Sequence, residues 1–453
     1  MAGRGLPGFL RRSLRVNYDE DEDEDDDNDE QVNDNGSESV SAAASDSEED
    51  TSKRSADRSV EAGTTQLTAV QPDETSKDGV LDKNSLNSDV SSDSWQVVPE
   101  PPPSAATSSA ISTTLEGKKT YQETQFEKAI DADVVSMSEL RKLGWNGIPP
   151  QYRAQAWKIL LGYLPTNQAR RQQTLERKRS EYKDAMAQHY NIDDDIRTIQ
   201  EQETLRQVLV DVPRTQPDVP LFRNDRIRRI LSRLLYIWAM RHPASSYVQG
   251  INDLATPLVV VFLGDYYDGQ DVLDGHVMNH LSEERLDELE ADVYWCLTNL
   301  LAGIQDHYTS DQPGIQRMVM RIEELVNRID GDLCRHLRET GIQFLMFSFK
   351  WCNCLLLREF QLGCVVRLWD TYISEKDGFE DFHVYVCAAF LCQFSTKLQE
   401  MSFDELFGFM QAMPTADWTD TEVEMLLSQA FVLSTLFGGS DAHLTNNNNI
   451  SQY

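Results

Sequence analysis

The chain has 453 residues and a formal net charge of -33, because 75 acidic residues stand against 42 basic ones. Nucleic acids and strongly anionic membranes are bound through clustered lysine and arginine, so this charge argues against both as partners. We therefore expect soluble protein partners, with at most peripheral association with a membrane. Apolar runs such as LVVVFL at 258–263 are too short to span a bilayer, and a cytoplasmic protein is predicted.

The first third of the chain differs in composition from the rest. Residues 19–27 are nine consecutive carboxylates, and the first 110 residues contain only three aromatic side chains. This leaves too little apolar surface to offset the backbone entropy lost on folding, so residues 1–118 are predicted to be a disordered acidic, serine-rich region. Within it, GFLRRSLRV at 8–16 mixes apolar and basic residues, which leaves a small membrane-touching or transit segment as an alternative.

Beyond this region, apolar residues recur at helical spacing without sustained alternation. One large all-α domain is predicted over 119–437, followed by a flexible polar tail at 438–453. The clearest helix, 224–242, has a continuous apolar stripe, and its arginines at 226, 228, 229 and 233 are predicted to form a solvated face. Residues 264–286 are predicted to be a surface insertion. Other helices are predicted at 151–163, 168–190, 252–263, 288–308, 315–330, 331–340, 342–357, 360–374 and 382–399.

Common catalytic signatures are missing from the sequence: there is no glycine-rich phosphate loop, no HExxH and no nucleophile elbow. Cys352 and Cys354 form a lone CxC within an apolar helix, which favours core packing over a zinc site, and all seven cysteines are interpreted as reduced thiols. His307 and His383 are candidate bases without a recognisable partner. No metal site and no cofactor of the chain's own is predicted.

Two polar loops flank the clearest helix. The first contains DVPRT at 211–215 and the second SSYVQGIND at 245–253. Taken alone, Asp211 and Arg214 are most simply a local surface ion pair, which stabilises little. Asn252 and Asp253 are interpreted as the N-cap of the following helix.

Together the two loops resemble the two-finger signature of TBC-domain Rab GTPase-activating proteins. The family forms I-x-x-D-x-x-R-T and Y-x-Q-G read here VLVDVPRT at 208–215 and YVQG at 247–250, with Val208 as the departure from isoleucine. Supporting blocks follow in family order, and within the family the chain looks closest to the subgroup typified by the yeast Golgi Rab activator. The motif core spans 144–377, and the blocks read GWNGIPPQYRAQAWKILLGYLP, GIQFLMFSFKWCNCLLLREF and VRLWDTY.

The resemblance implies an all-α domain that accelerates GTP hydrolysis by a Rab-family GTPase in its GTP form and so regulates vesicle trafficking. Arg214 would be the arginine finger and Gln249 the glutamine finger, while GTP and magnesium belong to the partner. The chain would thus be an activator rather than an enzyme with its own substrate, recruited peripherally to Golgi membranes. Two alternatives stay open: a catalytically silent Rab-binding scaffold or effector, and a generic helical interaction domain.

Further residues take supporting roles by the same resemblance. Asp211 would hold the arginine loop, Thr215 is a supporting residue of the same motif, and Gly250 would permit close approach of the partner. Tyr247 would brace the glutamine loop, although simple packing is an equally good interpretation of it. Core or network roles are predicted for Arg153, Trp157, Arg367, Trp369 and Asp370.

Overall fold

A computed structural model of the protein describes residues 119–267 and 271–438. The region 1–118, predicted to be disordered, and all but the first residue of the predicted tail 438–453 lie outside the described residues. Those that are described form α-helices joined by short loops, 3-10 turns and a π-helical turn at Gly378–Phe382, and their only extended pairing is an isolated bridge between Val134 and Asn167. The predicted all-α class is confirmed.

Side-chain caps define the start of several helices in the amino-terminal half of the described chain. Thr120, Ser136 and Thr198 each accept a hydrogen bond from the backbone N–H of a glutamate three positions later. Such a cap satisfies one of the donors that the first helical turn leaves free. The helices are α1 (Tyr121–Ile130), α2 (Met137–Gly144), α3 (Pro150–Leu160), α4 (Arg171–His189), α5 (Ile199–Asp211), α6 (Pro220–Arg223), α7 (Asp225–Arg241) and α8 (Ile251–Gly264).

In the carboxyl-terminal half, two predicted helices differ from those observed. The helix predicted at 342–357 ends at Asn353, and that predicted at 382–399 is divided near Phe394. Apolar residues continue past both breaks, so hydrophobic spacing did not reveal where the helical backbone stops. The helices are α9 (Glu283–Gly303), α10 (Pro313–Ile329), α11 (Gly331–Thr340), α12 (Leu345–Asn353), α13 (Leu362–Ser374), α14 (His383–Cys392), α15 (Ser395–Gln399), α16 (Phe403–Gln411) and α17 (Asp420–Phe437).

Helix α8 occupies the centre of the described fold. It packs against α3, α7, α9 and α13, and all but one of its residues are buried. Its composition explains this position, because LVVVFL offers no polar face to solvent. Helix α14 packs against both α10 and α17, and α17 also packs against α13. Within the described residues, no helix is both long and apolar enough to cross a membrane.

The prediction that the arginines of α7 form a solvated face is wrong for Arg226 and Arg233. Arg233 pairs with Glu290, which is fully buried in α9, and its Nε lies 3.0 Å from the carboxylate. Arg226 donates to two main-chain carbonyls of the segment 264–286, including that of buried Met278. The reason is tertiary: α9 and carbonyls of this segment lie against the basic side of α7.

A buried carboxylate joins α3 to α13. Asp370 accepts hydrogen bonds from Arg153 at 3.1 Å, from the indole N–H of Trp157 at 2.8 Å and from the backbone N–H of Ile148 at 2.9 Å. Burial raises the pKa of Asp370, and the Arg153 guanidinium opposes that shift. The rings of Trp157 and Trp369 pack beside this group with centroids 6.2 Å apart.

Arg367 forms a second connection from α13, in this case to α17. Its Nε lies 3.1 Å from Glu424, and its Nη1 donates to Thr371 at 3.0 Å. A Cβ on Gly147, whose φ is +98°, would lie 3.0 Å from the Arg367 Nε. The turn before α3 therefore approaches this guanidinium closely.

Candidate functional site

Three loops meet around a cleft of about 350 Å³. The first loop is residues 212–219, between α5 and α6; the second is 242–250, between α7 and α8; the third is 354–361, between α12 and α13. Because α8 contacts both α7 and α13, it brings loops that are distant in sequence to one place. The cleft is lined by Arg214, Gln216, Pro217, Gln249, Asn252, Asp253, Leu357, Arg358 and Phe360.

Arg214 lies at the end of a single 3-10 turn that continues directly from α5. Its Nε donates to Oδ1 of Asp211 at 2.9 Å, and its Nη2 contacts the same oxygen. Asp211 is buried, whereas the Arg214 side chain is 54% exposed. The other carboxylate oxygen of Asp211 accepts a hydrogen bond from the Tyr247 hydroxyl at 2.8 Å. Asp211 thus holds the arginine and joins the first loop to the second.

Tyr247 belongs to the second loop, and its side chain is buried. Burial raises the pKa of its hydroxyl, and the neighbouring Asp211 carboxylate adds to that effect. The phenol therefore remains a neutral hydrogen-bond donor across the physiological pH range. Tyr247 is both packed in the core and hydrogen-bonded to Asp211 and Asn252, so these contacts do not separate the packing interpretation from the bracing one.

The interpretation of Asn252 and Asp253 as an N-cap is wrong. Helix α8 begins at Ile251, and Gly250 is the N-cap residue, since its positive φ lets the chain turn into the helix earlier than expected. The Asn252 amide instead donates to the Thr215 hydroxyl at 2.9 Å, and its oxygen accepts from the Gly250 N–H at 3.0 Å. Asn252 is thereby a second link between the first two loops.

The end of helix α12 holds the main chain at Gln249. The Asn353 side-chain amide, at the end of α12, donates to the carbonyl oxygen of Gln249 at 3.1 Å. A Cβ added to Gly250, at φ +116°, would lie 2.3 Å from the same amide nitrogen. Only glycine fits there. The Gln249 backbone is fixed from behind while its side chain is exposed to the cleft.

The third loop carries Arg358. Its Nε and Nη2 both donate to Oδ2 of Asp253, at 2.9 and 2.6 Å. Asp253 is buried in the first turn of α8 and also contacts the thiol of Cys354. The cleft therefore presents two arginines, each paired with a buried aspartate, with Gln249 exposed beside them.

Comparison with known proteins identifies the family. The sequence profile of the Rab-GTPase-TBC domain (RabGAP-TBC) matches residues 150–399, more than half of the chain. The chain belongs to the RabGAP-TBC family. Its TBC domain is 47% identical over 321 residues to "GTPase-activating protein gyp1" of Schizosaccharomyces pombe, which covers 71% of this chain and 62% of that protein.

Two further relatives agree with this assignment. Human "TBC1 domain family member 22B" is 46% identical over 320 residues, covering 70% of this chain and 62% of that protein. The crystal structure of the Ypt/Rab-GAP domain of Gyp1p is 44% identical, superposes with a TM-score of 0.67, and matches 70% of this chain and 98% of that one. The chain spans 62% of the length of both curated relatives.

Sequence reasoning missed part of this TBC site. Arg214, Gln249 and their neighbours were recognised from two short motifs, and the structure brings them together on one cleft. Asn353 and Arg358 were seen only within the block NCLLLREF, among buried leucines. Polar residues inside an apolar run were the available signal, since such a residue needs a partner when it is buried.

The candidate bases lie elsewhere in the TBC domain. His307 and His383 are fully buried and do not line the cleft, and burial lowers their pKa values to about 4 and about 3. His383 lies between the Tyr372 hydroxyl and the Trp351 carbonyl. All seven cysteines are free thiols, six of them buried.

Proposed function

We propose that this chain activates GTP hydrolysis by a Rab-family small GTPase and thereby regulates vesicle trafficking. One observation carries the proposal: Arg214 and Gln249 are exposed on the same cleft, and each is held from behind by buried groups. Membership of the RabGAP-TBC family and similarity to a protein named as a GTPase activator support it. The activity is proposed to reside in residues 119–437, with the motif core at 144–377.

Arg214 is the proposed arginine finger. In GTP hydrolysis, negative charge develops on the oxygens of the transferred phosphoryl group, and an arginine supplied by a second protein accelerates the reaction by about 10³–10⁵. This corresponds to roughly 4–7 kcal/mol of transition-state stabilisation. A planar guanidinium can address two oxygens and keeps its proton, which a lysine does not reproduce. The Asp211 pair limits the rotamers of Arg214 before binding.

Gln249 is the proposed glutamine finger. A neutral amide both donates and accepts hydrogen bonds, and can therefore orient a water molecule for in-line attack. The hydrogen bond from Asn353 to the Gln249 carbonyl fixes the main chain from which this amide extends. The nucleotide and its magnesium ion belong to the GTPase, and the proposed role requires no cofactor bound by this chain.

The proposed partner is a Rab GTPase in its GTP form, because the two fingers act on a γ-phosphate. By the same proposal the chain is an activator with no small-molecule substrate of its own. The resemblance to the Golgi Rab activator subgroup favours a cytoplasmic protein recruited peripherally to Golgi membranes. Localisation of the tagged full chain in cells, with a Golgi marker, tests this part independently.

Phosphate release by a panel of GTP-loaded Rab GTPases, measured with the full chain, tests the proposal. We expect Arg214→Ala to lower kcat by about 10³ or more, Arg214→Lys not to restore it, and Gln249→Ala to lower kcat by at least about 10². Arg206→Ala is a matched control, since Arg206 forms an exposed i,i+3 pair with Glu203 on α5, outside the cleft.

The outcomes separate the alternatives. If no Rab is activated, or if Arg214→Ala is as active as wild type, the mechanism is wrong. Tight binding of a GTP-loaded Rab without acceleration would identify a scaffold or effector instead. Loss of activity in Arg206→Ala as large as in Arg214→Ala would attribute the effect to helix α5 rather than to the finger.

A further inference from the structure

The three loops of the cleft share an unfavourable backbone conformation. Of the six non-glycine residues with positive φ among those described, four lie in these loops: Gln216 in the first, Ser246 in the second, and Leu355 and Leu356 in the third. A left-handed backbone is disfavoured for side chains with a Cβ, and especially for bulky ones. Such residues persist where the surrounding structure imposes them, and they cluster at functional sites. The third loop therefore has the same character as the two finger loops.

Arg358 is the charged side chain that the third loop contributes to the cleft. Its neighbours Leu357 and Phe360 are buried, whereas its own side chain is 44% exposed. Two of its nitrogens are committed to one oxygen of Asp253, and its Nη1 has no hydrogen-bond partner among the described residues. One face of the guanidinium is thus held and one is available.

The Arg358–Asp253 ion pair differs in solvent exposure from most other ion pairs that buried carboxylates form in the described chain. Where Asp370, Glu290, Asp292 and Glu359 form ion pairs, the basic partners are between 10% and 25% exposed. The Asp211 and Asp253 pairs differ, because their arginines are 54% and 44% exposed. A pair that only neutralised a buried carboxylate would be covered like the others. The two arginines that remain accessible are those of the cleft.

We propose that Arg358 binds an acidic group on the surface of the bound GTPase and acts in docking rather than in the chemical step. This inference rests on the proposed function. An acidic patch would be repelled by a chain of net charge -33, so a fixed local cation gives the complementarity that association requires. Arg358 is tied to Asp253 between two buried side chains, so it stays at the wall of the cleft, and its free Nη1 suits a carboxylate that approaches it.

Steady-state phosphate release over a range of GTPase concentrations, with the full chain, tests this role. We expect Arg358→Gln to raise KM about tenfold, to leave kcat within about twofold, and to weaken the salt dependence of KM. Arg321→Gln is the matched control, because Arg321 also pairs with a carboxylate of another element, Asp381, and lies outside the cleft. An unchanged KM in Arg358→Gln, or a loss confined to kcat, overturns the docking role.

A second variant separates docking from folding. Arg358→Gln leaves Asp253 buried without its cation, which by itself lowers the stability of the protein. The double variant Asp253→Asn/Arg358→Gln removes both charges, so we expect its unfolding midpoint to return towards wild type while KM stays raised about tenfold. Recovery of the wild-type KM in the double variant overturns the proposal. If the wild-type chain neither binds nor activates any GTPase, the proposed function itself fails, and this inference fails with it.

Discussion

Gly250 links the conformation of the second loop to the position of Gln249. Its φ of +116° is accessible to glycine, and the Asn353 amide occupies the space that a side chain would need. The same amide binds the Gln249 carbonyl, so a displacement of Asn353 moves the proposed finger. Gly250 and the Asn353 amide therefore fix the backbone position from which the Gln249 side chain extends.

We predict that Gly250→Ala lowers kcat for GTPase activation by about 100-fold. The added Cβ displaces Gln249, and a shift of about 1 Å in a catalytic group has an effect of that size. Gly341→Ala is the control. Gly341 also has a positive φ, +85°, but a Cβ there meets nothing within 4 Å. We expect it to cost about 1 kcal/mol of stability without loss of activity. Equal activity of the two variants in phosphate release would contradict the role assigned to Gly250.

The residues of the site were predictable from sequence to different degrees. Arg214 and Gln249 stand in short motifs with recognisable residue spacing, and the motifs flank the clearest predicted helix. Asn252 was assigned to a helix cap because a polar residue before an apolar run favours that interpretation. Its actual partner, Thr215, is 37 residues away in sequence, and no local pattern reports a contact across such a separation.

Helix α8 shows how an element supports the site despite an unfavourable residue. Pro257 has no N–H to donate to the Asp253 carbonyl one turn earlier, so this carbonyl would be left free in the core. The Thr256 hydroxyl donates to it at 2.8 Å. Because Asp253 also pairs with Arg358, this hydroxyl completes the hydrogen bonding of a residue that lines the cleft.

We predict that Thr256→Val destabilises the protein by about 2 kcal/mol, because the shape is kept while a buried carbonyl loses its donor. Thr298→Val is the control. The Thr298 hydroxyl donates to the Tyr294 carbonyl at 2.8 Å, but that carbonyl also accepts a regular helical N–H. We expect its cost to stay below about 0.5 kcal/mol. Urea unfolding of both variants measures how much each lowers the free energy of unfolding. Similar losses would show that the Thr256 hydroxyl does not compensate for Pro257.

The end of α12 is a boundary that sequence reasoning placed wrongly. The run NCLLL at 353–357 looks helical because it is apolar apart from Asn353, yet Leu355 and Leu356 adopt a left-handed backbone. Local propensity opposes that conformation, so only the packing of the surrounding helices can impose it. The displaced boundary creates the third loop and brings Arg358 to the cleft.

At the scale of the whole molecule, the fully buried imidazole of His307 is a titratable group whose ring nitrogens lack a hydrogen-bond partner among the described residues. Burial lowers its pKa to about 4; the nearby Asp306 opposes this shift and Arg317 adds to it. In the unfolded chain the pKa is about 6.5, so the unfolded state binds a proton first as the pH falls. Stability is therefore retained above about pH 6.5 and lost towards pH 4.

We predict that His307→Phe removes this component of acid sensitivity. Between pH 7.5 and pH 5 the wild type should lose about 2 kcal/mol relative to the variant, since the phenyl ring does not titrate. His280→Asn, at an exposed position, is the control and should follow the wild type. Urea unfolding at both pH values provides the measurement. Parallel pH profiles of wild type and His307→Phe would show that His307 does not titrate on unfolding.

The sequence by itself determined the all-α class, most helices and the two motifs of the family, because helical periodicity and motif spacing are local properties of the chain. Tertiary structure decided what lies behind and beside those motifs: the Asp211 and Asn252 links, the Asn353 support of Gln249, and the exposed face of Arg358. The physical reason is that burial, pairing and left-handed turns depend on which distant helices pack together. A local sequence pattern identifies the candidate functional side chains, whereas the packing of distant helices determines which side chains hold them in place.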